Sequence, residues 1–302
     1  MQHLEVEDSH DTTGRAMIGV TGATGTIGSH LVRRLSERGE RVRAFTRDPE
    51  RQPPLEGVEW RGADLADRSG LEDAFAGCDR LFLLTGNTDD MVRLQQNALR
   101  SAAETGIEHV VKLSALGATD HSKSVIGLWH YNVERELRDA DFQWTILRPH
   151  HFAQNLLRPV TFDREAGVVY SASGDGAIPF IDTRDIAEVA VVALVEDGHA
   201  GAVYTLTGPE AVSYGEATEI LGRVLGRALE YRSETPDEAW RRRREAGQPV
   251  WLAAAQLAIA GYQRQGGVTA RTTDTVREVT GRPARPLETF VHDHVDELGG
   301  TA

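Results

Sequence analysis

The chemistry of this 302-residue chain starts at three glycines spaced three apart, Gly22, Gly25 and Gly28 in TGATGTIGSH. A phosphate can lie against backbone N–H groups only where no side chain intervenes. Gly22 permits a tight turn, Gly25 lets the backbone reach a pyrophosphate, and Gly28 lets a helix pack close to a strand. Thr24, Thr26 and Ile27 fill the positions between them. A helix starting near Thr26 offers unpaired N–H groups and a partial positive charge. The stretch is therefore expected to hold a dinucleotide.

Which dinucleotide depends on the tip of the next strand, about 20 residues or more further on, where an acidic residue would take a ribose 2′-hydroxyl. Here that strand ends FTRDPER, so Thr46 and Arg47 come first. Arg47 suits a 2′-phosphate through charge-assisted hydrogen bonds, although Asp48 follows it. NADP(H) is expected in preference to NAD(H). Asp64 and Leu65 end a third strand and are expected around the adenine. Thr85, Gly86 and Asn87 end a fourth, beside the middle of the cofactor. Ser114 and Ala115 end a fifth, near the nicotinamide. Ligands of such sheets bind at the carboxyl ends of the strands, so these positions belong together by geometry.

The elements that must position these residues alternate. Strands are expected at Ala16–Thr21, Arg41–Thr46, Val58–Arg61, Arg80–Thr85, His109–Ser114 and Trp144–Arg148. Helices are expected at Thr26–Arg38, Ser69–Ala76, Met91–Glu104 and Tyr131–Arg138. That rhythm is of a parallel sheet covered on both faces, an α/β, Rossmann-type doubly wound fold. After Pro149 it weakens. Ile181–Glu196 reads as a return to the sheet, a short strand and then a helix, and Val203–Leu206 as a further strand. A helix follows around Glu216–Leu225, and then the apolar stretch Val250–Ala260, a core helix or else a lid or dimer contact. The expected division is a flexible tail over 1–15, a nucleotide-binding domain over 16–150 with 181–206 returning to it, and a smaller interleaved C-terminal substrate region made of 151–180 and 207–302.

Composition excludes several classes. Forty-six acidic residues against 33 basic ones give a net charge of −13, which opposes nonspecific nucleic-acid binding. The basic run Arg241–Arg244 reads as a solvated helix face. No apolar run reaches the roughly 18 residues of a membrane span, and the acidic N-terminus lacks a signal core. With Cys78 as the single cysteine, no intrachain disulfide can form, and a cytoplasmic location is expected. A monomer or a homodimer is expected.

With these residues in place, the chain resembles the NmrA-like family of atypical short-chain dehydrogenase/reductases, near its quinone oxidoreductase branch. The motifs that carry the resemblance include GVTGATGTIGSHLVRRL, AFTRDPER, HVVKLSALGA, WTILRPHHFAQNLL and PFIDTRDIAEVAVVAL, within roughly residues 16–292. The family includes quinone, triphenylmethane-dye and isoflavone-type reductases, together with regulators that bind NAD(P) without turning it over. The resemblance therefore implies the fold and the nucleotide and leaves reductase and redox sensor both open.

Ordinary short-chain reductases use a Tyr and a Lys four residues later. Here Tyr131 is followed by Arg135. Aligning Glu134 with the glutamate of relatives that carry GK-x-x-x-E puts His130 where their lysine sits and Ile126 where the tyrosine would be. His130 and Tyr131 are the catalytic candidates, His130 as a proton donor or a ribose ligand. Quinone reduction needs orientation and a proton more than a Tyr–Lys pair. The segment Arg148–Asn155 is expected to line the pocket. His150 and His151 offer a proton donor, Phe152 an aromatic wall and Asn155 a polar anchor, with Trp129 and Phe180 as further walls. No spaced third ligand accompanies the two histidines, so no metal is expected. The expected activity is hydride transfer from NADPH to a small quinone or related conjugated aromatic carbonyl; an imine, dye or polyketide-type substrate is the alternative enzyme.

Overall fold

The computed structural model describes residues 15–300, so the expected tail lies outside the described residues except for Arg15. Seven strands form one parallel sheet: β1 (Met17–Val20), β2 (Arg41–Thr46), β3 (Val58–Gly62), β4 (Arg80–Leu83), β5 (His109–Leu113), β6 (Gln143–Pro149) and β9 (Val203–Leu206). Their order is β3-β2-β1-β4-β5-β6-β9. The sequence runs outward from β1 in both directions, so a crevice opens between β1 and β4 at the carboxyl ends of the strands. β1 and β5 are buried at every position because helices cover both faces.

One face carries α1 (Thr26–Glu37) and α5 (Thr183–Val195). Ile27, Leu31, Val32 and Leu35 of α1 share a core with Ile186, Val189, Ala190 and Ala193 of α5. The other face carries α2 (Arg68–Phe75), α3 (Met91–Glu104) and α4 (Val125–Asp139), whose apolar stripes pack on Leu81, Val110 and Ile146. Cys78 lies in that core, and burial pushes its thiol up to about 11.

The structure departs from expectation in instructive places. α4 begins six residues before the expected Tyr131. Gly127 hides that start from sequence reading, yet it is needed: a Cβ there would stand 2.8 Å from the Gly117 carbonyl oxygen. The short strand expected at Ile181 is only an isolated bridge to Phe152, while the helix after it forms as expected.

The remaining chain builds a second layer. β7 (Phe162–Asp163), β8 (Val168–Ser171) and β10 (Glu230–Ser233) form a small mixed sheet. It packs with α6 (Tyr214–Leu225) and α10 (Leu287–Asp293) around Phe162, Phe180, Leu221 and Phe290. α7 (Pro236–Glu245) and α8 (Val250–Gln265) pack on each other, α8 also meets α4, and α9 (Thr275–Thr280) sits against α5. Trp251 of α8 meets Trp129 of α4 at 5.0 Å between ring centroids. The basic run on α7 is not simply a solvated face. Arg242 turns inward, pairs with buried Glu234 at 2.5 Å and covers the Tyr170 ring, because the small sheet lies beneath it. Among the described residues no helix is long and apolar enough to cross a membrane.

The junction of β1 and α1 is backbone against backbone. A Cβ on Gly28 would fall inside the Gly22 carbonyl oxygen and crowd Ala23 Cα. Gly28→Ala is therefore expected to cost about 1–3 kcal/mol as an overpacked contact. Urea denaturation checks this; an unchanged midpoint would show that α1 has room to retreat.

Candidate functional site

The turn after β1 is fixed from below. The buried Thr21 hydroxyl donates toward the Phe82 and Leu84 carbonyls at 3.1 and 2.9 Å and accepts from the Leu84 amide at 2.8 Å, tying the end of β1 to the end of β4. Gly22 then takes φ +62°, the left-handed region, with its α-carbon so close to Leu84 that a Cβ would lie 2.9 Å from that carbonyl oxygen. Gly25 caps α1 with no side-chain hydrogen bond, and no acidic residue occupies the first turn. The amides that begin α1 are left for an anion, and Thr24, Gly25 and Thr26 are exposed around them. Ile27 is buried, so only its backbone can take part. The residues present fit a dinucleotide pyrophosphate.

The other expected cofactor positions lie on the same rim. Arg47 is exposed just past β2. Asp64 caps its own turn, accepting from the Ala66 amide at 2.9 Å, and Leu65 packs into the core below. The Thr85 hydroxyl accepts from Gln95 at 2.8 Å, which anchors the end of β4 to α3 and leaves Gly86 and Asn87 exposed.

Beneath the end of β5 lies a charged network that sequence reading missed. Lys112 exposes none of its surface. Its Nζ donates to the Leu113 carbonyl at 2.9 Å and stands 3.0 Å from His130 Nδ1. Burial pulls the Lys112 ammonium down to about 7; Glu134 opposes that pull and Arg148 adds to it. Burial, then the Lys112 charge, hold His130 well below its ordinary value, so it is neutral. With Lys112 protonated, Nδ1 accepts and Nε2 carries the imidazole proton. That Nε2 has no hydrogen-bond partner among the described residues.

One helical turn on, Glu134 is fully buried and accepts from Ser114 at 2.5 Å, from Arg148 Nε at 2.9 Å and from Arg138 at 3.0 Å. Burial alone would raise its carboxyl, but the hydrogen bonds from Arg148 and Ser114 outweigh it and keep Glu134 ionised. The Ser114 hydroxyl donates into this network and its amide donates to the Leu147 carbonyl, so both of its donors are already paired. Ala115 stays partly exposed beside it. Tyr131 is part-buried, off the face that carries His130 and Glu134, and joins none of these bonds.

The histidine segment corrects two expectations. His151 is neither free nor charged: its Nε2 faces the Tyr214 hydroxyl at 2.9 Å and Asn155 Nδ2 at 3.2 Å, and its Nδ1 faces Gln263 at 3.4 Å. Burial, followed by the charges of His150, Arg158 and Arg243, lowers it to about 3. Burial lowers His150 to about 4, and its Nδ1 accepts the His151 amide at 2.7 Å. Both rings are neutral near pH 7, and neither is hydrogen-bonded to a charged group that could resupply a proton it gave away. Phe180 is 2% exposed, edge-on to His151 and Tyr214 in the second core, and cannot wall a pocket. Trp129 is committed to Trp251, whereas Phe152 remains part-buried at the start of the segment. The structure thus joins His130, Ser114 and the strand ends, and separates Tyr131, His151 and Phe180 from them. The one signal for Lys112 was a single charge inside the apolar run HVVKLSA.

Residues 22–197 match the family described as NAD(P)H-binding. Along 94% of its length the chain is 35% identical to an NAD(P)H azoreductase of Xenophilus azovorans, covering 99% of that protein. It is 38% identical to a (4-alkanoyl-5-oxo-2,5-dihydrofuran-3-yl)methyl phosphate reductase of Streptomyces griseus, over 93% of this chain and 98% of that one. The NADPH complex of an NADPH-dependent quinone oxidoreductase from Escherichia coli superposes with a TM-score of 0.84 at 26% identity, covering 92% of this chain and 99% of the other.

Glu134→Gln leaves two guanidinium groups short of their counter-charge. It is expected to cost about 3–5 kcal/mol, measured by denaturant unfolding at neutral pH. Because folding lowers the Glu134 pKa below its ordinary 4.5, this stability is full above that value and fades as pH falls through the folded one. Equal stability of variant and wild type at neutral pH would contradict the network's structural weight.

Proposed function

The chain belongs to the NAD(P)H-binding family, as an NmrA-like, atypical short-chain reductase, and we propose that it reduces a quinone or related conjugated aromatic carbonyl with NADPH. The observation that carries this reading is the acid group on offer: His130 with Nε2 unpartnered, in place of a Tyr–Lys pair. Its relatives support the substrate class, since they include an NAD(P)H azoreductase, a quinone oxidoreductase and a (4-alkanoyl-5-oxo-2,5-dihydrofuran-3-yl)methyl phosphate reductase.

The free N-terminal amides of α1, from Thr26 through Gly28, would hold the pyrophosphate, the Gly25 amide being spent on the Gly22 carbonyl. Arg47 meets a 2′-phosphate and sets the preference for NADPH over NADH. Thr85–Asn87 and Ala115 run along the rest of the cofactor. The bound cofactor supplies the hydride. His130 donates a hydrogen bond from Nε2 to the acceptor oxygen and supplies the proton that completes the hydroquinone. Phe152 and Asn155, both partly exposed after β6, bound the acceptor from the far side, with Asn155 held in place by its hydrogen bond to His151.

Loss of reduced-nicotinamide absorbance with naphthoquinone, dependent on the protein, tests the activity; no loss while NADPH binds would overturn it. Arg47→Ala is expected to weaken NADPH at least tenfold more than NADH, read by titrating cofactor fluorescence, and equal losses would sink the phosphate pairing. His130→Ala is expected to lower kcat at least tenfold with cofactor affinity kept within about threefold. Unchanged turnover would remove His130 from the chemistry.

A further inference from the structure

Among the described residues, Lys112 is the fully buried cation that the reaction above leaves unused. It stands on β5, in the sheet core, where no solvent reaches it. A lysine there is costly, and a strand as apolar as this one would pack as well around Leu or Met. Two hydrogen-bonding partners meet its Nζ, the Leu113 carbonyl and the one imidazole nitrogen of His130 that faces inward. The carbonyl fixes the ammonium in place. The imidazole joins it to the site.

We propose that Lys112 is the proton source of the reductase, and that His130 passes its proton outward by exchanging one tautomer for the other. The inference rests on the reductase reading above. The step balances. As the acceptor takes the hydride supplied by NADPH, the His130 Nε2–H bond breaks and an O–H bond forms on the substrate. In the same event a Lys112 Nζ–H bond breaks and an Nδ1–H bond forms. His130 ends neutral, as it began, with its proton moved from Nε2 to Nδ1. Lys112 ends as a neutral amine. After hydroquinone leaves, a proton from water enters at Nε2, and the Nδ1 proton returns to Lys112.

The surroundings explain why such a relay is needed. A neutral imidazole is a poor acid by itself, because losing Nε2–H would leave an imidazolate. His130 resists protonation, from burial first and then from the nearby ammonium, so it holds no spare proton of its own. Lys112 holds one that it gives up readily, at about 7 rather than 10.5, because burial disfavours its charge. The groups that face it set the balance. Glu134 on α4 favours the ammonium and Arg148 on β6 disfavours it, while Ser114, beyond the end of β5, spends its hydroxyl on Glu134. Lys112 is charged below about pH 7 and progressively neutral above, so the supply of protons fails on the alkaline side.

The test is the pH profile of kcat for naphthoquinone reduction in wild type, Lys112→Met, His130→Gln and the double variant. Wild type should lose activity above about pH 7. Each single variant should fall at least tenfold at pH 6 and lose that alkaline limb, and the double variant should be no worse than either single one, because both cut the same path. A Lys112→Met profile that keeps the wild-type limb, or losses that multiply in the double variant, would reduce Lys112 to a structural residue. The nitrogen chemical shifts of His130 give a readout that needs no substrate. They should report Nε2–H at pH 6 and a shift toward Nδ1–H as pH rises through about 7, in wild type and not in Lys112→Met. If quinones prove inert while this tautomer exchange is seen, the substrate reading falls and the Lys112–His130 couple stands. Nδ1–H at pH 6 would overturn the couple itself.

Discussion

The whole molecule turns on how closely α1 approaches β1. A helix can bring its N-terminal amides to the end of a strand only if nothing projects from either backbone at the crossing. Gly28 meets that condition against Gly22, and Gly22 meets it against Leu84. Thr21 then pins the turn to the neighbouring strand. The cradle's position is set by the sheet, whose order reverses at β1 and opens a crevice there. α5, contributed by a distant part of the chain, backs α1 through an apolar seam and keeps the amides from tilting away. The nucleotide end of the site therefore depends on main-chain contacts and on one shared core, more than on any particular polar side chain.

The other end of the crevice is organised by charge. Glu134 gathers Ser114, Arg148 and Arg138 and so ties β5, β6 and α4 together. The same helix carries His130 one turn earlier, and the network's rigidity fixes that ring beside Lys112. Burial does the electrostatic work throughout. It depresses Lys112 and His130, and the two histidines after β6, while Glu134 stays ionised because its hydrogen bonds outweigh burial. Among the three histidines at this end, His130 is the one whose ring nitrogen meets a buried ammonium.

Much of this was legible in the residues. The glycine spacing, flanked by an apolar strand and a helical stripe, located the cradle. The alternation of elements fixed the sheet, and β2, α3 and β9 fall at their expected bounds. Those signals are local, periodic and strong. The second layer was not legible in the same way. β7 has two residues, and β10 is largely exposed, so neither shows a period. The start of α4 was hidden by Gly127, a helix-weakening residue kept for close approach to Gly117. Phe180 and His151 could not be placed because which side of a loop faces the core is a tertiary fact. Lys112 stood in plain view in an apolar strand, but its partner lies eighteen residues away on α4, and only the fold brings them to 3.0 Å.

The central claim is that a nicotinamide held over this crevice passes hydride directly to a conjugated acceptor. A single-turnover experiment tests it most directly: protein loaded with NADPH, deuterated at the transferred position, is mixed rapidly with naphthoquinone. The account predicts a one-step loss of NADPH absorbance, slowed about twofold or more by the deuterium, as expected when a C–H bond breaks in the step observed. Loss of absorbance at equal rates with both isotopologues would contradict direct hydride transfer as the step that this site governs.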